Sequence, residues 1–172
     1  MELPSSLLIS YAHIHDQFLN YMSMHGCRNM NNMEFELQKA LQQVTIAVKF
    51  LEEASKADLD ENTLSQIEDS LKSINKLSSS WDSSEDMTCF ADHLSDIGIV
   101  KVFLEVTHSL LKSGFTAKNW PCLYALRAAC LNMSHRFESF CADLGSTGFV
   151  VTLVNELKIY DRAYISQNVS IL

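Results

Sequence analysis

Apolar residues recur every three or four positions along most of the chain, which is the spacing of one face of an α-helix. This spacing predicts a helix over residues 5–24, a loop over 26–32, and a long amphipathic helix over 34–54. Asp58 or Asp60 then begins another helix, which reaches Leu77. The first part of the chain is therefore predicted to be helical.

The helix that follows Asp60 carries a regular apolar seam. Its members repeat at spacings of three and four: Leu64, Ile67, Leu71, Ile74 and Leu77. Such a seam packs against another helix, either in the same chain or in a second copy. A serine-rich connection then leads to a short helix predicted from Ser84 to Leu94.

Two later segments, 98–112 and 120–133, are apolar on most of their circumference, and such helices are buried between neighbours on several sides. Pro121 lies where a helix tolerates proline, in its first turn. We expect Ser134 to cap a short helix that ends at Gly145, and a further apolar helix to run from 149 to 160.

Composition agrees with an all-α fold. The 172 residues include only 5 Gly and 2 Pro, too few for the many tight turns of a sandwich or barrel. The formal net charge is −8, with no cluster of Lys or Arg, so neither nucleic acid nor an anionic membrane surface is an expected partner. No stretch has the length and apolarity of a membrane span.

The cysteines and the first residues predict a cytoplasmic location. The five cysteines form no CxxC pair and are expected to be reduced, as small core residues. The sequence opens with Met1 and Glu2 and shows no secretory signal, so the Asn-x-Ser sequons at Asn132 and Asn168 are not expected to be glycosylated.

Two stretches of the chain resemble each other at an offset of 50 residues. Residues 90–100 (FADHLSDIGIV) and 140–150 (FCADLGSTGFV) each contain a short helix, a turn with glycine, and the start of an apolar helix. Repetition at this period is typical of stacked helical solenoids, in which each unit buries its apolar faces against its neighbours.

The motifs in these stretches resemble the armadillo family. Residues 148–154 (GFVVTLV) look like the opening of the family's second helix, and 129–134 (ACLNMS) like the end of its third. The resemblance implies an all-α, armadillo-like α-solenoid, a right-handed superhelical stack. One near-complete repeat then spans 84–133 and part of a successor 134–160. Residues 59–172 would form the repeats, and 1–58 an N-terminal helical pair that serves as a cap or extension.

The resemblance also implies a function. It points to a non-enzymatic protein–protein interaction module or scaffold, which binds a protein partner or another domain of its own polypeptide. In peptide-binding members the third helix lines the groove, and the expected contact residues here are Lys118, Tyr124, Arg127 and Asn132. Asn132 matches the family's peptide-binding asparagine, although it could equally hydrogen-bond a neighbouring backbone. Ala128 replaces the family's tryptophan, so an importin-like carrier is not expected.

Two further hypotheses concern self-association. The first is a helical-bundle adaptor that homodimerises through its long amphipathic helices, 34–54 and 60–77. The second follows from the apolar residues near the end of the sequence: Ile165, Val169, Ile171 and Leu172. They suggest a piece of a longer array, with self-association through an uncapped C-terminal end.

Candidate chemistry is sparse, and we predict no enzyme, no cofactor and no metal. Glu105 and His108 form an ExxH pair, but a di-iron bundle needs a second copy. His13 and His15 point about 200° apart on a helix and cannot share an ion. Cys130 and His135 lack an orienting third group.

Overall fold

A computed structural model describes residues 32–81, 83–112, 114, 116–155 and 158, and this part of the chain is all-helical, as predicted. The helices are α1 (Asn32–Ala54), α2 (Glu61–Ser78), α3 (Ser84–Asp96), α4 (Ile99–Leu111), α5 (Trp120–Arg136) and α6 (Glu138–Ser146). A further helical segment covers 149–155. The predicted helix over 5–24, the loop over 26–32 and the residues beyond 158 lie outside the described residues.

Side-chain caps fix where α2 and α3 begin. The Asp60 carboxylate accepts a 2.7 Å hydrogen bond from the backbone N–H of Thr63, which lowers the pKa of that carboxyl. The Ser83 hydroxyl accepts the N–H of Asp86 in the same way. The predicted starts near Asp60 and Ser84 are therefore confirmed to within one residue.

One predicted boundary was wrong, and another lies within one residue of the prediction. Ser134 lies inside α5, which continues to Arg136, and its hydroxyl donates to the carbonyl of Leu131 rather than capping a new helix. Gly145 lies within α6, which ends at Ser146. Ser134 therefore does not cap a helix, whereas α6 ends within one residue of Gly145, and Gly148 takes the left-handed conformation at the turn that follows.

The two glycines of the sequence repeat have the same backbone conformation. Gly98 has a φ of 68° and Gly148 a φ of 75°, and each lies just before a helix. Because residues with a Cβ are strained in this left-handed region, glycine suits both turns. The carbonyls of both glycines accept the first backbone hydrogen bonds of the following helices.

The helices α2 and α5 run parallel and side by side. Lys118, just before α5, pairs with Glu61 in the first turn of α2, while Asn132 bonds Asn75 near the last turns of the two helices. The sequence separations of these pairs are both 57, as expected for two parallel helices in constant register. Between them, the Cys122 thiol donates to the carbonyl of Leu64 at 3.1 Å.

The helices α3 and α4 also contact segments that lie later in the chain. The Ser95 hydroxyl of α3 donates to the Asp143 carboxylate of α6 at 2.7 Å, and the two helices pack together. His108 of α4 lies 3.4 Å from the Thr152 hydroxyl of segment 149–155. The helices α3 and α4 therefore each contact a later helical segment, through residue pairs 48 and 44 positions apart.

The core is continuous through these helices. Four of the five seam residues of α2, Leu64, Ile67, Leu71 and Ile74, are buried, and Leu77 is half-buried. An aromatic cluster closes the same end of α2 and α5, with Phe90 between Trp81 and Phe137 at ring separations of 5.8 and 6.0 Å. Arg136 donates a hydrogen bond to the carbonyl of Trp81 beside this cluster.

The chain divides into two compact units, Met1–Gln43 and Val44–Leu172. Most of the first unit lies outside the described residues, so the predicted division at residue 58 stays a prediction. Of the helices that the structure describes, none combines the length and the apolar composition needed to cross a bilayer.

Candidate protein-binding site

A single buried asparagine fixes the start of α5. The Asn119 side-chain amide donates to the carbonyls of Leu110 and Gly114, both at 2.7 Å, and its oxygen accepts the N–H of Thr116 at 2.9 Å. Asn119 is only 3% exposed. It therefore ties the end of α4 to the loop that follows, and Pro121 then sits in the first turn of α5 as predicted.

An exposed stripe runs along α5. Its members follow at spacings of four, three and four, which places them on one face: Trp120, Tyr124, Arg127 and Leu131. Tyr124 is 65% exposed and Leu131 61%. We call these four residues the α5 stripe. Large exposed apolar side chains that share one face are typical of interaction sites.

The cation of the α5 stripe lies over its tryptophan. The Arg127 guanidinium carbon is 5.4 Å from the centre of a Trp120 ring, two helical turns earlier. Long side chains on a helix point towards its N-terminus, so this backward reach is an ordinary direction for arginine. The contact presents a flat aromatic and guanidinium surface, the pair of residue types most enriched at binding hot spots.

Lys118 lies just before α5, next to the first turn of α2, and is not part of the α5 stripe. Its ammonium is 2.7 Å from the Glu61 carboxylate, and both side chains are mostly exposed. The hydrogen bond and the charge of Lys118 lower the pKa of Glu61, while Glu61 raises the pKa of Lys118. Lys118 thus joins two neighbouring helices at the surface.

Asn132 lies on the side of α5 that faces α2. Its amide nitrogen donates to the Ser79 hydroxyl at 2.9 Å and to the Asn75 carbonyl at 3.2 Å. Asn132 therefore makes hydrogen bonds within the chain, one of them to a backbone carbonyl of α2. The structure therefore places Tyr124 and Arg127 together on the stripe, and Lys118 and Asn132 along its border with α2.

The exposed side of α2, next to α5, is polar. The α2 helix exposes no large hydrophobic side chain, and its exposed residues are Glu61, Asn62, Ser65, Gln66, Asp69, Lys72, Ser73 and Lys76. Lys72 pairs with Glu68 at 2.5 Å. The surface of the two helices is thus amphipathic, with the α5 stripe as its apolar part.

The candidate metal ligands and the candidate nucleophile and base do not form a common site among the described residues. Glu105 lies 4.0 Å from Lys101, whereas His108 lies against Thr152. Cys130 is buried, while His135 is exposed. Among the described residues, no three His, Cys, Asp or Glu side chains converge as metal ligands do. The histidines at 13 and 15 lie outside the described part of the chain.

Burial disfavours the thiolate form of one cysteine. Loss of hydration raises the pKa of the Cys122 thiol to about 11, and the nearby Glu68 carboxylate adds to the effect. Its sulfur donates to the carbonyl of Leu64. Cys122 is therefore a packing residue between α2 and α5.

Sequence reasoning missed Trp120 and Leu131 as members of the stripe. The segment 120–133 is apolar on nearly every face, so periodicity alone did not show which apolar side chains remain exposed. The signal available was their spacing relative to Tyr124 and Arg127, which falls on one helical face.

No protein family model matches this chain, and no curated protein or solved structure matches it either. Support for a function comes from the arrangement of its own helices and from the surface that they leave exposed.

Proposed function

We propose that this chain is a protein-interaction module built as an armadillo-like α-solenoid. The helices α3, α4 and α5 would form one three-helix repeat, and α6 with segment 149–155 the first two helices of the next. On this assignment α2 is the third helix of the preceding repeat. The parallel register of α2 with α5 and the pairing of α3 with α6 support it, because equivalent helices of a solenoid stack in the same direction.

In this proposal the α5 stripe binds the partner, and its exposed side chains are the main support for a binding function. Tyr124 and Leu131 expose more than half of their surface, and the Arg127 guanidinium lies over the Trp120 ring on the same face. Aromatic, arginine and aliphatic side chains on one rigid helix supply contact area at small entropic cost. Lys118 and Asn132 are its proposed polar border, and the partner is a protein segment or another domain of the same polypeptide.

The test compares two single variants of equal exposure. Tyr124→Ala removes a 65% exposed side chain from the stripe, and Val151→Ala removes a 64% exposed one elsewhere. Proteins cross-linked to the chain in cells are identified by mass spectrometry, and the binding of each purified candidate is then titrated. We expect Tyr124→Ala to weaken the true partner about tenfold or more, as a hot-spot aromatic does. Val151→Ala should leave its affinity unchanged.

Asn132→Ala completes the set. It tests whether the border of the stripe contributes, with an expected loss of affinity smaller than that of Tyr124→Ala. A partner whose affinity is indifferent to both Tyr124→Ala and Asn132→Ala would contradict the assignment of the binding surface.

The alternative of a helical-bundle adaptor rests on the apolar seam of α2. Leu64, Ile67, Leu71 and Ile74 are buried within this chain. Such burial favours the use of the seam for intramolecular packing, and we therefore propose the stacked arrangement.

A further inference from the structure

Positive charge is concentrated around α5 in a chain that is acidic as a whole. The net charge of the chain is −8, yet residues 106–137 contain no Asp or Glu, which makes them the longest stretch of the sequence without an acidic side chain. Four cationic side chains lie in that stretch: Lys112, Lys118, Arg127 and Arg136. The α5 stripe therefore belongs to a cationic segment of an acidic protein.

One of these cations is part of the α5 stripe itself. The Arg127 guanidinium lies over the Trp120 ring, with its carbon 5.4 Å from the ring centre. Stacking uses the flat face of a guanidinium group, whereas carboxylates bind its N–H groups along the edge, often two at a time. Arg127 can therefore stack on Trp120 and bind a carboxylate at the same time.

A second cation lies on α2, beside the border with α5. Lys76 is exposed and follows Asn75, whose carbonyl accepts a hydrogen bond from Asn132. In the described part of the chain Lys76 takes part in no ion pair, unlike Lys118, whose ammonium is paired with the Glu61 carboxylate. Lys76 therefore leaves a positive charge unmatched next to α5.

The exposed apolar side chains of the α5 stripe lie between these two cations. Asn132 faces α2, and Tyr124 and Leu131 lie about 80° and 100° around the helix from it, at 100° per residue. Arg127 lies further around in the same direction, at about 140°. The surface therefore presents Lys76, then an apolar centre, then Arg127.

A protein segment fits this surface better than a nucleic acid does. The exposed side of α2 also carries Glu61 and Asp69, and the whole chain has a net charge of −8. Binding of a phosphate backbone depends on many Lys and Arg contacts, and these carboxylates would repel it. A short run of carboxylates around an apolar side chain can instead meet the two cations and cover the apolar centre between them.

We propose that the partner segment of the α5 stripe is acidic. Its Asp and Glu carboxylates bind Arg127 and Lys76, and an apolar side chain between them packs against Tyr124 and Leu131. This inference rests on the proposed function, because it concerns the same surface, and it adds the chemistry of the partner. Complementary charge speeds association and rejects segments of the wrong sign, so it supplies the selectivity that an apolar stripe alone lacks.

The experiment begins with random peptides displayed on phage. They are selected against the full wild-type chain and, in parallel, against Tyr124→Ala. Peptides that only wild type enriches bind through the α5 stripe, and we expect them to contain more Asp and Glu than the starting library, together with a large apolar residue. The affinity of such a peptide, made synthetically and titrated by fluorescence, should fall as the salt concentration rises.

Matched substitutions then test the two cations. Lys76→Gln and Arg127→Gln should each weaken the acidic peptide severalfold, whereas Lys49→Gln, which removes an exposed cation from α1, should not. In Arg127→Glu the preference should reverse, so that a peptide with Lys in place of one acidic residue binds better than its parent. A single-stranded DNA oligonucleotide, titrated alongside as a polyanion, should bind more weakly than the acidic peptide.

The outcomes separate this proposal from the proposed function. Stripe-dependent peptides that are neutral or basic overturn the acidic partner but leave the α5 stripe as a binding site. Acidic peptides that bind Lys76→Gln and Arg127→Gln as tightly as Lys49→Gln have the same consequence, and so does an oligonucleotide that binds more tightly than they do. A selection in which wild type enriches no peptide beyond those of Tyr124→Ala contradicts the α5 stripe, and with it both proposals.

Discussion

Gly98 and Gly148 occupy equivalent turns 50 residues apart, with φ angles of 68° and 75°. Each follows a short helix and precedes a more apolar one, and each carbonyl accepts the first hydrogen bonds of the helix that follows. The two halves of the repeat therefore share a backbone conformation as well as a sequence pattern.

Alanine at either glycine should destabilise the fold by about 1 kcal/mol, because it forces a Cβ into the left-handed region. No atom lies within 4 Å of the added Cβ at Gly98 or Gly148, so the cost is conformational rather than steric. Gly145→Ala is the matched control, since Gly145 is helical with the same open space. It should stabilise the chain by about 0.5–1 kcal/mol. Chemical denaturation measures the free energy of unfolding of all three variants. Destabilisation by Gly145→Ala alone would contradict the assignment of the turns.

Asn119→Ala should be more costly than either glycine variant. It removes the side chain that bonds the buried carbonyl of Leu110 and the half-buried carbonyl of Gly114 and N–H of Thr116. Unsatisfied buried groups cost about 1–3 kcal/mol, so we expect a loss of about 2 kcal/mol. Asn62→Ala, at an exposed position of α2, is the control and should change the free energy of unfolding by less than about 0.5 kcal/mol. Equal effects of the two substitutions would count against the role of Asn119.

Cysteine reactivity should differ sharply between two positions. Cys122 is buried and its pKa is raised to about 11, whereas Cys141 is exposed. A thiol with so high a pKa stays almost entirely protonated near neutral pH, and burial slows access of the reagent further. Alkylation with iodoacetamide at pH 8 and dilute protein should therefore label Cys141 and spare Cys122. Rapid labelling of Cys122 in the native chain would show that α2 and α5 are not packed as described.

The ion pair between Lys118 and Glu61 can be tested by titrating the Glu61 carboxyl. Lys118 lowers the pKa of Glu61, so the stabilisation from this pair is present above the ordinary range of a glutamate and is lost as the pH falls through the lowered value. In Lys118→Met, NMR titration of the Glu61 carboxyl should show its pKa returning upward to the ordinary range. An unchanged Glu61 titration would mean that the two groups do not pair in solution.

Helix positions were predictable from the sequence because they depend on local signals. The 34–54, 60–77 and 98–112 segments carry strong apolar periodicity, and each is observed within about two residues. Ser134 was misassigned because a serine can cap a helix but need not do so. The burial of Met133 and Phe137 carries α5 past Ser134, and tertiary packing overrides the local preference.

The candidate site was predictable only in part. The sequence named Tyr124 and Arg127 as expected contact residues, and they lie on one face of α5, whereas the exposure of Trp120 and Leu131 depends on which sides of α5 its neighbours cover. The bonds of Lys118 to Glu61 and of Asn132 to Ser79 join residues more than 50 positions apart. No local pattern specifies such pairs.

The parallel register of α2 and α5 is the arrangement on which the repeat stack depends, and zero-length carbodiimide cross-linking tests it in the native chain. Lys118 and Glu61 lie 2.7 Å apart across the two helices, and Lys72 and Glu68 lie 2.5 Å apart within α2 as an internal control. Mass spectrometry of the monomer fraction at low concentration should find both cross-links. Recovery of the Lys72–Glu68 cross-link, with Lys118 joined instead to a carboxylate outside the first turns of α2, would contradict the stack.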